Sequence, residues 1–130
     1  MSYDILVFDP AAAPPKRAAF LDWYDAQTEW GDAHDYDDPA ICSAALGAFY
    51  ADIVQIFPPV QGDNEDQGTD YTIAAQLIYM SFQWDSVDQA HETILLLAGK
   101  HKLGVFDPSS DLAEVWLPDR KGGLFLAHAD

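Results

Sequence analysis

The sequence predicts an α+β two-layer sandwich, with helices on one face of a small, mostly antiparallel sheet in the order β-α-α-β-α-β-β. Three observations predict it. Short β-branched and aromatic runs recur, the stretches between them carry apolar residues at helical spacing, and Pro, Gly and Asp clusters separate the two kinds of segment. At 130 residues the chain has the length of one domain, long enough to bury roughly two thirds of the surface its unfolded form exposes. Residues 1–118 read as that domain and residues 119–130 as a C-terminal tail.

Tyr3 to Phe8 (YDILVF) is the first strand, stopped by Asp9 and Pro10. Pro15 suits the first turn of a helix, and from Lys16 the residues Phe20, Trp23, Tyr24, Gln27 and Trp30 project to one side. Asp22, Asp25 and Glu29 fall on the other, so this helix has an aromatic inner face and a carboxylate stripe outside. Residues 31–41 (GDAHDYDDPAI) form an acidic loop. Ser43 caps a second helix, in which Leu46, Phe49, Tyr50, Ile53 and Phe57 recur at helical spacing until Pro58 and Pro59 end it.

Residues 60–70 (VQGDNEDQGTD) have no period and form a second acidic loop. From Tyr71 the chain becomes β-like, and Ile78 to Trp84 alternates Ile, Met, Phe and Trp with Tyr, Ser and Gln. Asp85 or Ser86 caps a third helix that buries Val87, Ala90, His91, Ile94 and Ala98 and is closed by Gly99, with Lys100, His101 and Lys102 at its cation-favouring end. Leu103 to Phe106 and Glu114 to Leu117 make a hairpin around DPSSDLA, which Pro118 ends. The tetrapeptide VFDP occurs twice, at Val7 to Pro10 and Val105 to Pro108, as repeated strand-end chemistry.

Charge bounds the function. There are 22 acidic side chains against six basic ones, a formal net charge of −16. Between Arg17 and Lys100 no Lys or Arg occurs, while fifteen carboxylates do, and such a block projects a negative potential. It repels nucleic-acid phosphates and anionic lipid and attracts basic proteins. Solubility and adaptation to salt are the general readings of the same charge. No apolar run approaches the roughly 18 residues needed to span a bilayer, and MSYDILVFDP has no basic segment followed by a cleavage site, so the chain is expected to be soluble and cytoplasmic. The single Cys42 allows no internal disulfide and no thiolate cluster.

Catalytic and metal constellations fail on spacing. Asp32, His34, Asp35, Asp37 and Asp38 offer oxygen donors, but the loop lacks the central Gly and the twelfth-position Glu of a calcium loop; counted from Asp63, the second acidic loop has Gly68 in place but Ala74 at the twelfth position. His34, His91, His101 and His128 have no zinc-ligand spacing. Cys42 with His34 as a nucleophile pair is opposed by neighbouring carboxylates, which raise a thiol pKa. No phosphate-binding glycine motif and no GxSxG is present. No cofactor and no enzymatic activity are expected.

The runs YDILVFDP, FLDWYDAQTEW, HDYDDP, IFPP and IYMSFQW resemble a family of small acidic bacterial proteins of unassigned activity with the pattern YDxxVFDP, FxxWYxxQTEW, HxYxDP, FPPxxG, an aromatic-rich strand and a VFD…WxP hairpin. The resemblance covers residues 3–118, and Trp23-Tyr24 through Glu29-Trp30 is its most specific part. It carries no catalytic residues across. It implies an immunity protein, the cognate inhibitor of a bacterial toxin, and the stretch after Pro118 and the extra acidic loop are where departures from the family are expected.

A stoichiometric inhibitor of a basic toxin needs carboxylates and aromatic anchors on a rigid domain, and no active site. Asp32, Asp35, Asp37 and Asp38, with Tyr36 as the anchor, are the candidate contact residues, joined by Asp22, Asp25 and Glu29. Two other readings stand beside it. One is a nucleic-acid mimic that occupies a DNA-binding protein; the other is a small enzyme or a ligand- or metal-binding domain using a pocket lined by Trp23, Trp30, Trp84 and Tyr79.

Overall fold

A computed structural model describes residues 2–14, 16–27, 43–57, 69–74, 76–83, 87–108, 113–119, 121 and 123–128. Six strands and three helices follow one another as β1 (Ser2–Phe8), α1 (Arg17–Gln27), α2 (Ala44–Ile56), β2 (Asp70–Ile73), β3 (Leu77–Gln83), α3 (Val87–His101), β4 (Gly104–Asp107), β5 (Glu114–Pro118) and β6 (Leu124–His128). The strands form one antiparallel sheet in the order β2-β3-β1-β4-β5-β6. The fold is α+β, with the expected succession of helices and strands, and two further strands extend the sheet. β2 separates from β3 at Ala74, whose N–H donates to the Leu77 carbonyl across a tight turn. β6 arises from the stretch set apart as a tail: the chain turns back at Asp119, and Leu124–His128 pairs along β5.

The expectation of two layers with all helices on one face is corrected. β1 sits inside the sheet between β3 and β4, and it is apolar on both sides: Ile5 and Val7 point one way, Leu6 and Phe8 the other, and all four are fully buried. A strand of this kind needs cover on each face. α2 and α3 supply it on the Ile5 and Val7 side, through Leu46, Phe49, Ile53, Ala90, Ile94 and Ala98 packed on Ile78, Met80 and Val105. α1 covers the opposite side, where Phe20, Trp23 and Tyr24 meet Phe8 and Phe106. The molecule therefore has three layers.

Local chemistry fixes the helix ends. Ser43 is the N-cap of α2, in extended conformation, with its Oγ accepting from the Leu46 N–H at 3.4 Å. α3 runs past Gly99, where the sequence places its end, to His101. The left-handed position is taken by Lys102 (φ 58°), and the bonds Leu103 N–H to Ala98 O (2.9 Å) and Lys102 N–H to Gly99 O (3.3 Å) form a Schellman motif with Leu103 buried behind it. The reason is packing: Gly99 is itself buried within the helix and adds no turn. The Asp85 and Ser86 caps lie outside the described residues.

Candidate functional site

The α1 face of the sheet carries a carboxylate-hydroxyl network at its β1–β3 end. Register places Asp4 opposite Ser81 and Leu6 opposite Tyr79, so all four side chains share that face. The Tyr79 hydroxyl donates to Asp4 Oδ2 at 2.8 Å and the Ser81 hydroxyl to Asp4 Oδ1 at 2.8 Å. Tyr24 of α1 lies over it, hydrogen-bonded to Tyr79, with its ring edge-on to Phe106 at 4.7 Å between centroids. Burial pushes the Tyr24 hydroxyl up, the bond to Tyr79 pulls it down, and the charges of Asp4 and Asp25 push it up again. Burial likewise raises Tyr79, helped by its bond to Asp4.

Outside this network, Asp22 and Asp25 are exposed on the outer surface of α1. α1 is held to the sheet by aromatic contacts, Phe20 to Phe106 at 5.2 Å and Phe8 to Trp23 at 5.8 Å, and by Arg17, whose guanidinium donates to the Ala113 carbonyl at 2.9 Å. Two of the candidate contact residues are thus presented on a fixed helix, with Asp4 behind it. Glu29, Asp32, Asp35, Tyr36, Asp37 and Asp38 lie outside the described residues, as do His34 and Cys42.

Two further polar groups lie on the opposite face. Tyr3 donates to the buried Asp107 carboxylate at 2.9 Å, and His91 Nε2 stands 3.8 Å from the same Oδ2, beyond hydrogen-bond distance. His91 is half-buried, and this is its place in the core edge of α3. Between α2 and α3, Asp52 meets His101 Nε2 at 2.7 Å and Lys100 Nζ at 3.0 Å, and these two bonds hold its carboxyl below the usual range. Among the described residues no group of three or more His, Cys, Asp or Glu side chains is arranged to hold a metal ion, and no helix is long and apolar enough to cross a membrane.

Of the aromatic pocket residues, Trp23 and Tyr79 fringe the α1-side core, and Trp30 and Trp84 lie outside the described residues. The apolar hollow of about 200 Å³ on that side is lined instead by Pro14, Phe20, Leu117 and Phe125 among others, at the far end of α1 from Tyr79. The Asp4 cluster was not singled out in the sequence. Its signal was the polar face of β3, Tyr79 and Ser81, which required a polar partner on β1, where Asp4 is the one such residue between Tyr3 and Phe8.

Compared with family models, curated proteins and solved structures, the chain matches none.

Proposed function

We propose that the chain is a non-enzymatic binding protein for a cationic protein, and that this partner is a basic bacterial toxin which it neutralises by one-to-one complex formation. The observation that carries the reading is the unbroken acidic block: fifteen carboxylates and no Lys or Arg between Arg17 and Lys100. Such a field speeds encounter with a basic surface and disfavours acidic competitors. The exposed Asp22 and Asp25 belong to that block and ride on a helix locked by Phe20, Trp23 and Tyr24, which limits the ordering cost of docking. The acidic stretch bearing Asp32, Asp35, Tyr36, Asp37 and Asp38 follows α1 directly in sequence and belongs to the same acidic block. The immunity role comes from the family resemblance and from the charge together.

The test is a titration against the basic protein encoded next to this gene, read by that protein's own toxic activity. Loss of activity that is complete at equimolar ratio supports neutralisation. Undiminished activity at excess inhibitor contradicts it.

A further inference from the structure

β6 closes one edge of the sheet, and its chemistry differs from that of the opposite edge. β2, at the far side, ends a stretch with four carboxylates and no cation between Val60 and Ile73. Of these Asp70 lies on β2 itself, and a charge on an edge strand is a usual guard against strand pairing. β6 (LFLAH) has no acidic residue, and from Val115 to Ala129 the chain carries one Asp against Arg120 and Lys121, in a molecule of net charge −16. Of the four exposed large hydrophobic residues among those described, three lie here: Leu96 (74% exposed), Phe125 (48%) and Leu126 (47%). A hollow of about 340 Å³ between α3 and the β5–β6 hairpin runs past Leu95, Leu96, Trp116 and Leu124.

The backbone of β6 is oriented for pairing. Asp119 N–H donates to the Gly123 carbonyl at 2.9 Å, which makes Asp119 and Gly123 a hydrogen-bonded pair. Antiparallel pairs alternate, so Leu124 opposite Pro118 and Leu126 opposite Trp116 are non-bonded pairs, and their N–H and C=O groups point away from β5 to the open edge. Pro118, lacking an N–H, fits that assignment.

We propose that the β6 edge pairs antiparallel with β6 of a second copy of this chain, about a two-fold axis at Phe125, to make a continuous twelve-stranded sheet. In that register Leu124 bonds to Leu126 of the second copy and Leu126 to its Leu124, so the outward groups of one strand meet those of the other, while the register shift between Val115 and Trp116 turns residue 128 back toward β5 and leaves it out of the junction. Leu124, Leu126 and Leu96 of both copies then gather on the α3 face. The charge distribution selects a second copy over a cationic protein: two strongly acidic chains meet at the segment with the least repulsion, and each β2 edge, with its Asp70, stays roughly 24 Å, five strand spacings, from the junction. The inference does not rest on the toxin reading, because the pairing edge and the acidic face are different surfaces.

Sedimentation equilibrium of the full chain from about 10 to about 500 µM tests it, with Leu126→Lys and, on the opposite edge, Thr72→Lys as variants and circular dichroism to verify folding. The expected result is a mass rising from 14.4 kDa toward twice that value, more readily at high salt, with Leu126→Lys monomeric and Thr72→Lys unchanged. A monomer throughout, assemblies growing beyond two, or loss of the dimer in Thr72→Lys but not in Leu126→Lys would overturn the proposal. If Leu126→Lys does not fold, Leu126→Thr, which puts a strand-favouring β-branched residue there but removes apolar area, is expected to weaken the dimer at least tenfold; no weakening overturns it.

Discussion

Gly104 lies directly opposite Phe8, and a Cβ there would stand 2.3 Å from the Phe8 ring. The ring cannot yield easily, because Phe20 and Trp23 hold it at 5.2 and 5.8 Å. Gly104→Ala is therefore expected to lose about 1–3 kcal/mol in denaturant unfolding, the usual cost of overpacking. Lys102 is the opposite case: a non-glycine residue at φ 58°, exposed, whose side chain gains nothing from the left-handed backbone. Lys102→Gly should raise stability by about 0.5–1 kcal/mol in the same measurement. Tyr3→Phe removes a donor from the buried Asp107 carboxylate and is expected to cost about 1.5–3 kcal/mol, as charged hydrogen bonds do. The two VFDP tetrapeptides show how context divides one motif: Asp9 folds back to accept the Ala11 N–H in a turn, whereas Asp107 stays in the strand and accepts from Tyr3.

Helix pairing carries an acid-sensitive contact. Asp52 on α2 is held below the ordinary carboxylate range by His101 and Lys100 of α3, so its ionised form is favoured in the folded state. Its stabilising effect is present above the unfolded carboxylate pKa and is lost as pH falls through the lowered value. Asp52→Asn should accordingly be less stable than the parent near neutral pH, and the difference should shrink as the pH falls below the ordinary carboxylate pKa of about 4 in acid titrations of unfolding. Most elements were legible because their signals were local: the Ser43 cap, the period from Leu46 to Phe57, the alternation in β3 and the β4–β5 hairpin. What escaped was tertiary. The side of the sheet that α1 covers is written in β1, as an apolar run without alternation, and reading it requires knowing that β1 is interior. β6 is only five residues long and follows Pro118 and two glycines, so it gains its strand character from pairing with β5.

The molecule as a whole joins an aromatic interior to an anionic exterior, and both halves respond to pH. Tyr3 and Tyr71 are buried and Tyr79 is half-buried, burial raises all three hydroxyls, and Asp107 and Asp4 add to the effect at Tyr3 and Tyr79. Groups raised in this way stabilise fully below the unfolded tyrosine pKa of about 10, and their contribution declines above it. Thermal unfolding should show a midpoint steady between about pH 7 and pH 9.5 and falling steeply beyond about pH 10. For the candidate site, the carboxylate stripe was legible from helical spacing, which set Asp22 and Asp25 opposite Phe20, Trp23 and Tyr24. The Asp4, Tyr79 and Ser81 cluster was not, since it depends on a register between strands more than 70 residues apart in sequence. The central claim is that the acidic surface exists to meet a cationic protein. Stopped-flow association with the proposed basic partner, from about 50 to about 500 mM salt, tests it most directly. The rate constant should fall by about tenfold or more over that range, and Asp22→Asn with Asp25→Asn should lower it further at low salt; a rate indifferent to both salt and these substitutions would contradict the account.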